Sequence, residues 1–401
     1  MKLKLIIVVA AALSVAALSA GCASEKKEKT PSQKEQAVRQ WNQTRGAVVG
    51  QLAKNQYEAG NFEESRKSIE QAVKLDPQNS GYHVLSARLW IEQGNLEQAE
   101  RDLELARGYD PNNAEADYFS GVVNQRWQRS QQALDCYTNA CGKNPSELAY
   151  VMARAEMLVA LNRAPEALQF MQSKAADFEH NPVLHHAIGQ LLVDQGHYAE
   201  AVNSLRQAMI LAPEDANVRE HLAMAQFYNH EYRDAAESFA RLLRDEKTSK
   251  RSDLWLALGE CQMQIGKLPD ARASFDTATE LNPTSSLAWL SLAKVALQLN
   301  DTRRAEIVLR KVMTLDGGAS SEAHLMFGYL RLRQDKLPEA MSEFQKASTL
   351  DRADTVSLCM IGYVLEKTGK PKQAMKYYVA ALKLKPDDEL ATRLMASVDT
   401  N

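Results

Sequence analysis

Small apolar residues return along this chain every 34 residues, and that spacing organises everything else. Asp76-Pro77, Asp110-Pro111 and Asn144-Pro145 mark the period, each pair 34 residues after the last. Laid over the chain, the register opens ten units, near residues 46, 80, 114, 148, 182, 216, 252, 286, 321 and 355. Each unit predicts helices closed by the proline, which lacks the donor needed to continue a helix and clashes with its preceding turn. Where two helices approach closely their side chains must be small. One such position holds Ala53, Ala87, Gly121, Ala155, Gly189, Ala223, Gly259, Ala293, Gly328 and Gly362. Its counterpart later in each unit is Ser65 in the first and Ala in the other nine, from Ala99 to Ala374. After the last unit, Leu390, Leu394 and Val398 stand at helical spacing and predict a capping helix and tail over 389–401.

Three breaks in the register carry expectations of their own. Arg244 to Arg251 adds two residues and replaces the usual proline with charge, and Gly317-Gly318 adds one; both are expected flex points. At Asp177 to Asn181 the helix-ending proline is displaced to Pro182, which predicts an extended or reoriented second helix in the fourth unit.

The unit that opens at Ser252 carries Trp255, Leu258, Gly259, Ala271, Phe275, Ala278 and Pro283 and departs only at Gln262 from a known pattern. In this the chain resembles the tetratricopeptide-repeat (TPR) family, whose motif is Trp-x2-Leu-Gly-x2-Tyr, Ala-x3-Phe, Pro. The resemblance implies an all-α fold: a right-handed TPR superhelix, or α-solenoid, of about ten helix-turn-helix repeats over residues 46–388. In the family the first helix of each repeat lines a concave groove that grips peptides or helices. Carried onto this register, the groove residues of the N-terminal half are Val84, Arg88, Ile91, Tyr118, Val122, Met152, Val159, His186 and Val193. Those of the C-terminal half are Met224, Phe227, Leu256, Met263, Leu290, Leu325, Tyr329 and Tyr363. So apolar a lining implies a protein partner presenting an apolar extended segment or an amphipathic helix. Two other modes of the family do not transfer. The carboxylate clamp needs Lys and Asn where this chain has Gly50, Lys54, Val84 and Arg88, and the asparagine ladder is replaced by Gln51, Leu85, Phe119, Ala153 and Ala187.

The first residues add an address. Lys2 and Lys4 precede an apolar run from Leu5 to Leu18, and Leu18-Ser19-Ala20-Gly21-Cys22 closes it with small residues. This resembles a bacterial lipoprotein signal peptide over residues 1–21, which implies cleavage behind Gly21 and acylation of Cys22. Ordinary cleavage to a soluble periplasmic protein is the alternative. Ala23 implies export to the outer membrane, facing the periplasm. Residues 22–45, rich in Lys, Glu and Gln, are expected to form a polar tether.

Composition narrows the chemistry. Taking Lys2 and Lys4 from the 48 basic residues leaves 46 against 51 acidic ones, so no nucleic-acid partner is expected. Cys136, Cys141, Cys261 and Cys359 have no zinc spacing, and Cys136 and Cys141 fall on different faces of one helix, so small-hydrophobe packing is expected of them. His185 and His186 point about 100° apart, which argues against a metal site. There is no Gly-x-Ser-x-Gly, P-loop or Gly-x-Gly-x-x-Gly motif, and no catalytic residue, cofactor or metal is expected. The functional expectation is a membrane-anchored scaffold for a cell-envelope assembly, or alternatively a docking subunit of an envelope enzyme complex.

Overall fold

The structure, a computed structural model, describes residues 32–399; the leader, Cys22 and the first part of the tether lie outside the described residues. Among the described residues there are twenty-one helices and no strand. The described residues divide into two compact units, with the boundary between Trp127 and Gln128. The first holds α1 (Gln33–Glu58), α2 (Phe62–Leu75), α3 (Ser80–Glu92), α4 (Leu96–Tyr109) and α5 (Ala114–Arg126). The second holds α6 (Ser130–Lys143), α7 (Leu148–Ala160), α8 (Ala164–Lys174), α9 (Pro182–Asp194), α10 (Tyr198–Leu211), α11 (Ala216–Tyr228), α12 (Tyr232–Leu242), α13 (Ser252–Gln264) and α14 (Leu268–Leu281). It continues through α15 (Ser286–Gln298), α16 (Thr302–Leu315), α17 (Ser321–Arg333), α18 (Leu337–Leu350), α19 (Thr355–Lys367), α20 (Pro371–Leu384) and α21 (Glu389–Asp399).

Within each compact unit the helices pack as hairpins on a rule of small against large. The side chain sixteen residues after the small position of a first helix is fully or almost fully buried, as at Ile69, Leu103, Leu205, Phe275, Leu309, Phe344 and Tyr378. Where it is bulky the facing residue is usually glycine. A Cβ on Gly259 would sit 2.5 Å from Phe275 Cε1, on Gly328 2.3 Å from Phe344 Cε1, and on Gly362 2.4 Å from Tyr378 Cε1. Ala87 and Ala293 instead share their units with Leu103 and Leu309. Ala223, opposite Phe239, departs from the rule, in a unit whose second helix has only 11 residues.

A second rule ties six of the first helices to the loop before them. At the fourth residue of each a side-chain N–H donates to the carbonyl six residues earlier: His83 to Pro77 (2.8 Å), His185 to Glu179 (3.0 Å), Trp255 to Ser249 (2.9 Å), Trp289 to Pro283 (3.0 Å) and His324 to Gly318 (3.2 Å). Arg219 makes the same bond to Pro213. Three of the eight histidines are thereby committed to structure. The departure at Gln262 has its own account, because Gln262 Oε1 accepts from the Ser274 hydroxyl at 2.7 Å, as Gln56 does from Ser68 and Gln226 from Ser238.

The turn inside each hairpin needs a left-handed residue. Gly60, Gly94, Gly196, Gly266 and Gly369 supply it at φ 75–77°, whereas Gln128, Asn162, His230, Asn300 and Asp335 are forced there at φ 56–61°. Asn, Asp and His tolerate that region better than glutamine does. Gln128→Gly is therefore expected to raise stability by about 0.5–1 kcal/mol, read as a higher urea midpoint. A lower midpoint would show that the turn is not strained.

Two expectations need correction. Residues 33–45 are not tether but helix, because Ser32 and Glu35 form a capping box that starts α1 at Gln33. The second helix of the fourth unit is not extended: α8 has 11 residues against 14 in most second helices, and turns run from Ala175 to His180. The two inserted runs are held by specific bonds. Arg251 pairs with Glu220 at 2.6 Å and with Asp253 at 2.5 Å, and Gly318 donates to Asp316 Oδ1 at 2.9 Å. At the C-terminus α21 buries Ala391 against Cys359 and Ala381 and lays Leu394, Met395 and Val398 on the last hairpins. The exposed edge of the last repeat is thus covered.

Candidate partner-binding groove

The first helices α7, α9 and α11 bring apolar side chains together around a cavity of about 450 Å³. From α7 come Met152, Ala155 and Val159; α8 adds Met171; α9 gives Ala187, Leu191 and Val193; α11 gives Met224. Glu156, Gln190, Asp194 and His221 are its polar members. Thioethers on flexible stems let such a lining adapt to the shape of an apolar guest. A cavity of this size holds two or three side chains of a peptide or helix.

Beside it the structure pairs two histidines 35 residues apart. His186 Nε2 lies 2.7 Å from His221 Nδ1, and Gln190 Nε2 stands 3.2 Å from His221 Nε2. Burial, and then the neighbouring His221, hold the His186 pKa below its ordinary value, so that ring is neutral near pH 7. The pair joins α9 to α11 and gives the apolar cavity one polar edge. Among the described residues no three His, Cys, Asp or Glu side chains are grouped as a metal site would require.

The other expected groove residues divide into two sets. Val84, Ile91 and Leu290 are corrected to core positions: they are 1%, 4% and 8% exposed because neighbouring hairpins close over them. Val84 still reaches a smaller cavity of about 370 Å³, where it joins Gly50, Lys54, Tyr82 and Arg88. The Arg88 guanidinium there lies 4.3 Å above the Tyr57 ring and 3.3 Å from Glu115 Oε1, so its charge is already matched. Tyr118, Val122, Phe227, Leu256, Met263, Leu325, Tyr329 and Tyr363 are half-buried along their helices and line none of the cavities described here. Of the expected set, Met152, Val159, Val193 and Met224 line the larger cavity, with His186 at its edge. Met171, Gln190 and His221 were not expected. His221 could have been found from the register, since a residue one period and one place along lies on the neighbouring first helix.

The cysteines behave as small apolar groups. Cys141, Cys261 and Cys359 are buried, and burial pushes the Cys261 thiol up to about 12 and the Cys359 thiol up to about 11. Among the described residues there is no disulfide.

Sequence models described as tetratricopeptide repeat match residues 56–120, residues 186–227, 221–286 and 262–320, and residues 356–388. Among curated proteins, Tetratricopeptide repeat protein 37 of Xenopus laevis is 24% identical over 225 residues, 55% of this chain and 14% of that protein. DnaJ homolog subfamily C member 3 of Mus musculus is 34% identical over 91 residues, 23% of this chain and 18% of its own length. The chain thus spans less than a fifth of either relative. Among solved structures, pilF of Pseudomonas aeruginosa is similar at 16% identity with a TM-score of 0.47, over 56% of this chain and 99% of that one.

Proposed function

Because this chain belongs to the tetratricopeptide-repeat family, we propose that it is a membrane-anchored scaffold that grips an apolar segment or amphipathic helix of another protein between α7, α9 and α11. The observation that carries this reading is the methionine-rich cavity formed by Met152, Met171 and Met224. An open apolar recess on a folded surface gains free energy when it is covered, at roughly 25 cal/mol per Å². The leader-like segment and Cys22 support placement at the bacterial outer membrane, on the periplasmic side, within a cell-envelope assembly. Among the described residues no helix is long and apolar enough to cross a membrane, so attachment in this reading depends on the lipid at Cys22.

Met224→Arg tests the cavity. The half-buried methionine becomes a cation at the cavity wall, and partner recovery after in-cell crosslinking is expected to fall at least about tenfold, equivalent to about 1.4 kcal/mol. Recovery equal to that of the parent chain would sink the proposal. Incorporation of labelled palmitate, abolished by Cys22→Ser, tests the anchor separately.

A further inference from the structure

Two residues of α1 break with their equivalents elsewhere in the chain. Val48 is 68% exposed, whereas Leu184, Leu254 and Ala288, at the same place in their own repeats, are 0%, 2% and 1% exposed. Leu52 is 49% exposed, whereas Ile188, Leu258 and Leu292 are 3%, 5% and 1%. In those later repeats the second helix of the preceding hairpin packs onto the first helix, as α8 does on α9 and α14 on α15. Among the described residues no helix precedes α1.

The uncovered face extends beyond the repeat. Val38 is 51% and Trp41 63% exposed, and positions 38, 41, 45, 48 and 52 are three or four apart, so they share one side of α1. That side lies away from Gly46, Gly50 and Ala53, which are buried within the hairpins. Its charged residues are Arg45 and, one turn before Val38, Lys34. The two acids of the helix lie off the stripe, and Glu35 is engaged with the Ser32 cap.

We propose that this stripe rests on an anionic lipid surface, with Trp41 at headgroup level and Lys34 and Arg45 beside lipid phosphates. Aromatic and aliphatic residues flanked only by cations are the side-chain set of an interfacial helix. A second copy fits less well, because antiparallel stripes would set Arg45 against Arg45. Position agrees as well: Ser32 is ten residues on from Cys22, a reach of at most about 35 Å. This last point rests on the lipid-anchored reading, whereas the stripe can be tested without any lipid on the protein.

Every described helix lies within residues 22–401, so a chain beginning at residue 22 with Cys22→Ser keeps the whole fold and cannot be acylated there. It is expected to sediment with vesicles of phosphatidylglycerol and phosphatidylethanolamine, less in high salt, and hardly at all with phosphatidylcholine alone. W41E/V48E in the same chain is expected to weaken binding at least tenfold with unchanged helicity. Trp41 emission should shift to the blue with the anionic vesicles, and that shift should be absent in Trp41→Phe. Equal sedimentation of parent and variant, or no sedimentation of the parent, would overturn the inference even if palmitate labelling of Cys22 succeeds. A concentration-dependent dimer, or an added amphipathic helical peptide, that is lost on W41E/V48E while vesicle binding persists would overturn it too, in favour of a protein occupant. Vesicle binding that survives a failure of palmitate labelling would leave this inference standing and remove only the lipid on Cys22.

Discussion

Gly259→Ala is expected to destabilise the α13–α14 hairpin by about 1–3 kcal/mol, and adding Phe275→Leu should return most of that loss. The new methyl would fall 2.5 Å from Phe275 Cε1 and 2.6 Å from Cδ1, well inside contact distance. The ring is fully buried and has nowhere to swing. Alone, Phe275→Leu removes ring atoms from a packed site and is itself destabilising by about 1 kcal/mol or more. Together the two changes recreate the Ala–Leu combination that Ala87 and Leu103, or Ala293 and Leu309, already use. Because repeat arrays can unfold in parts, the loss is best read from amide exchange within α13 and α14 as well as from the global denaturant midpoint. Simple additivity of the two substitutions would contradict the close-approach account.

The second large effect lies near the C-terminus. The Arg331 side chain is only 12% exposed and lies 3.1 Å from Glu306 Oε1, 2.9 Å from Glu339 Oε2 and 2.6 Å from Gln334 Oε1. Its guanidinium, and then that of Arg310, hold the Glu306 carboxyl down to about 2. Arg331→Met is expected to cost about 2 kcal/mol at pH 7, since it removes the least exposed cation of the cluster and leaves Glu306 with Arg310 alone and Glu339 with Lys336 alone. The pH dependence follows from the sign of the shift. A carboxylate whose pKa is depressed by folding contributes stability above its unfolded value near 4.5, and that contribution is lost as pH falls toward 2. Parent and variant should therefore converge in urea midpoint between pH 5 and about 2. A deficit that stayed constant over that range would assign the loss to packing of the arginine stem instead.

The hairpin plan was legible because it is written in spacing. A 34-residue return of small residues, closed by Asp-Pro or Asn-Pro, leaves few folds that can satisfy it. What spacing could not convey was exposure. Val84, Ile91 and Leu290 occupy the same face as Met152 and Met224, yet neighbouring hairpins close over the first three and leave the other two open. That difference depends on the size of side chains on adjacent repeats, which a register alone does not weigh. The start of α1 was concealed differently. Its first three turns are polar on most sides, so composition resembled a tether, while the capping box at Ser32 and Glu35 was in plain view. The shortening of α8 was not legible because the displaced proline pointed to an extended or reoriented helix, whereas the added residues before Pro182 went into turns.

The bond from the fourth residue of a first helix to the carbonyl six places back also decides where this kind of chain can be lengthened. The tie is counted backwards from the helix, so residues added upstream of it leave it intact. At both irregular junctions the bond persists, from Trp255 to Ser249 after the two-residue insertion and from His324 to Gly318 after the one-residue insertion. Anyone splicing additional modules into the chain, or transplanting a hairpin to another scaffold, should cut ahead of that carbonyl. A seam placed inside the six-residue span would separate donor from acceptor and let the graft rotate out of alignment.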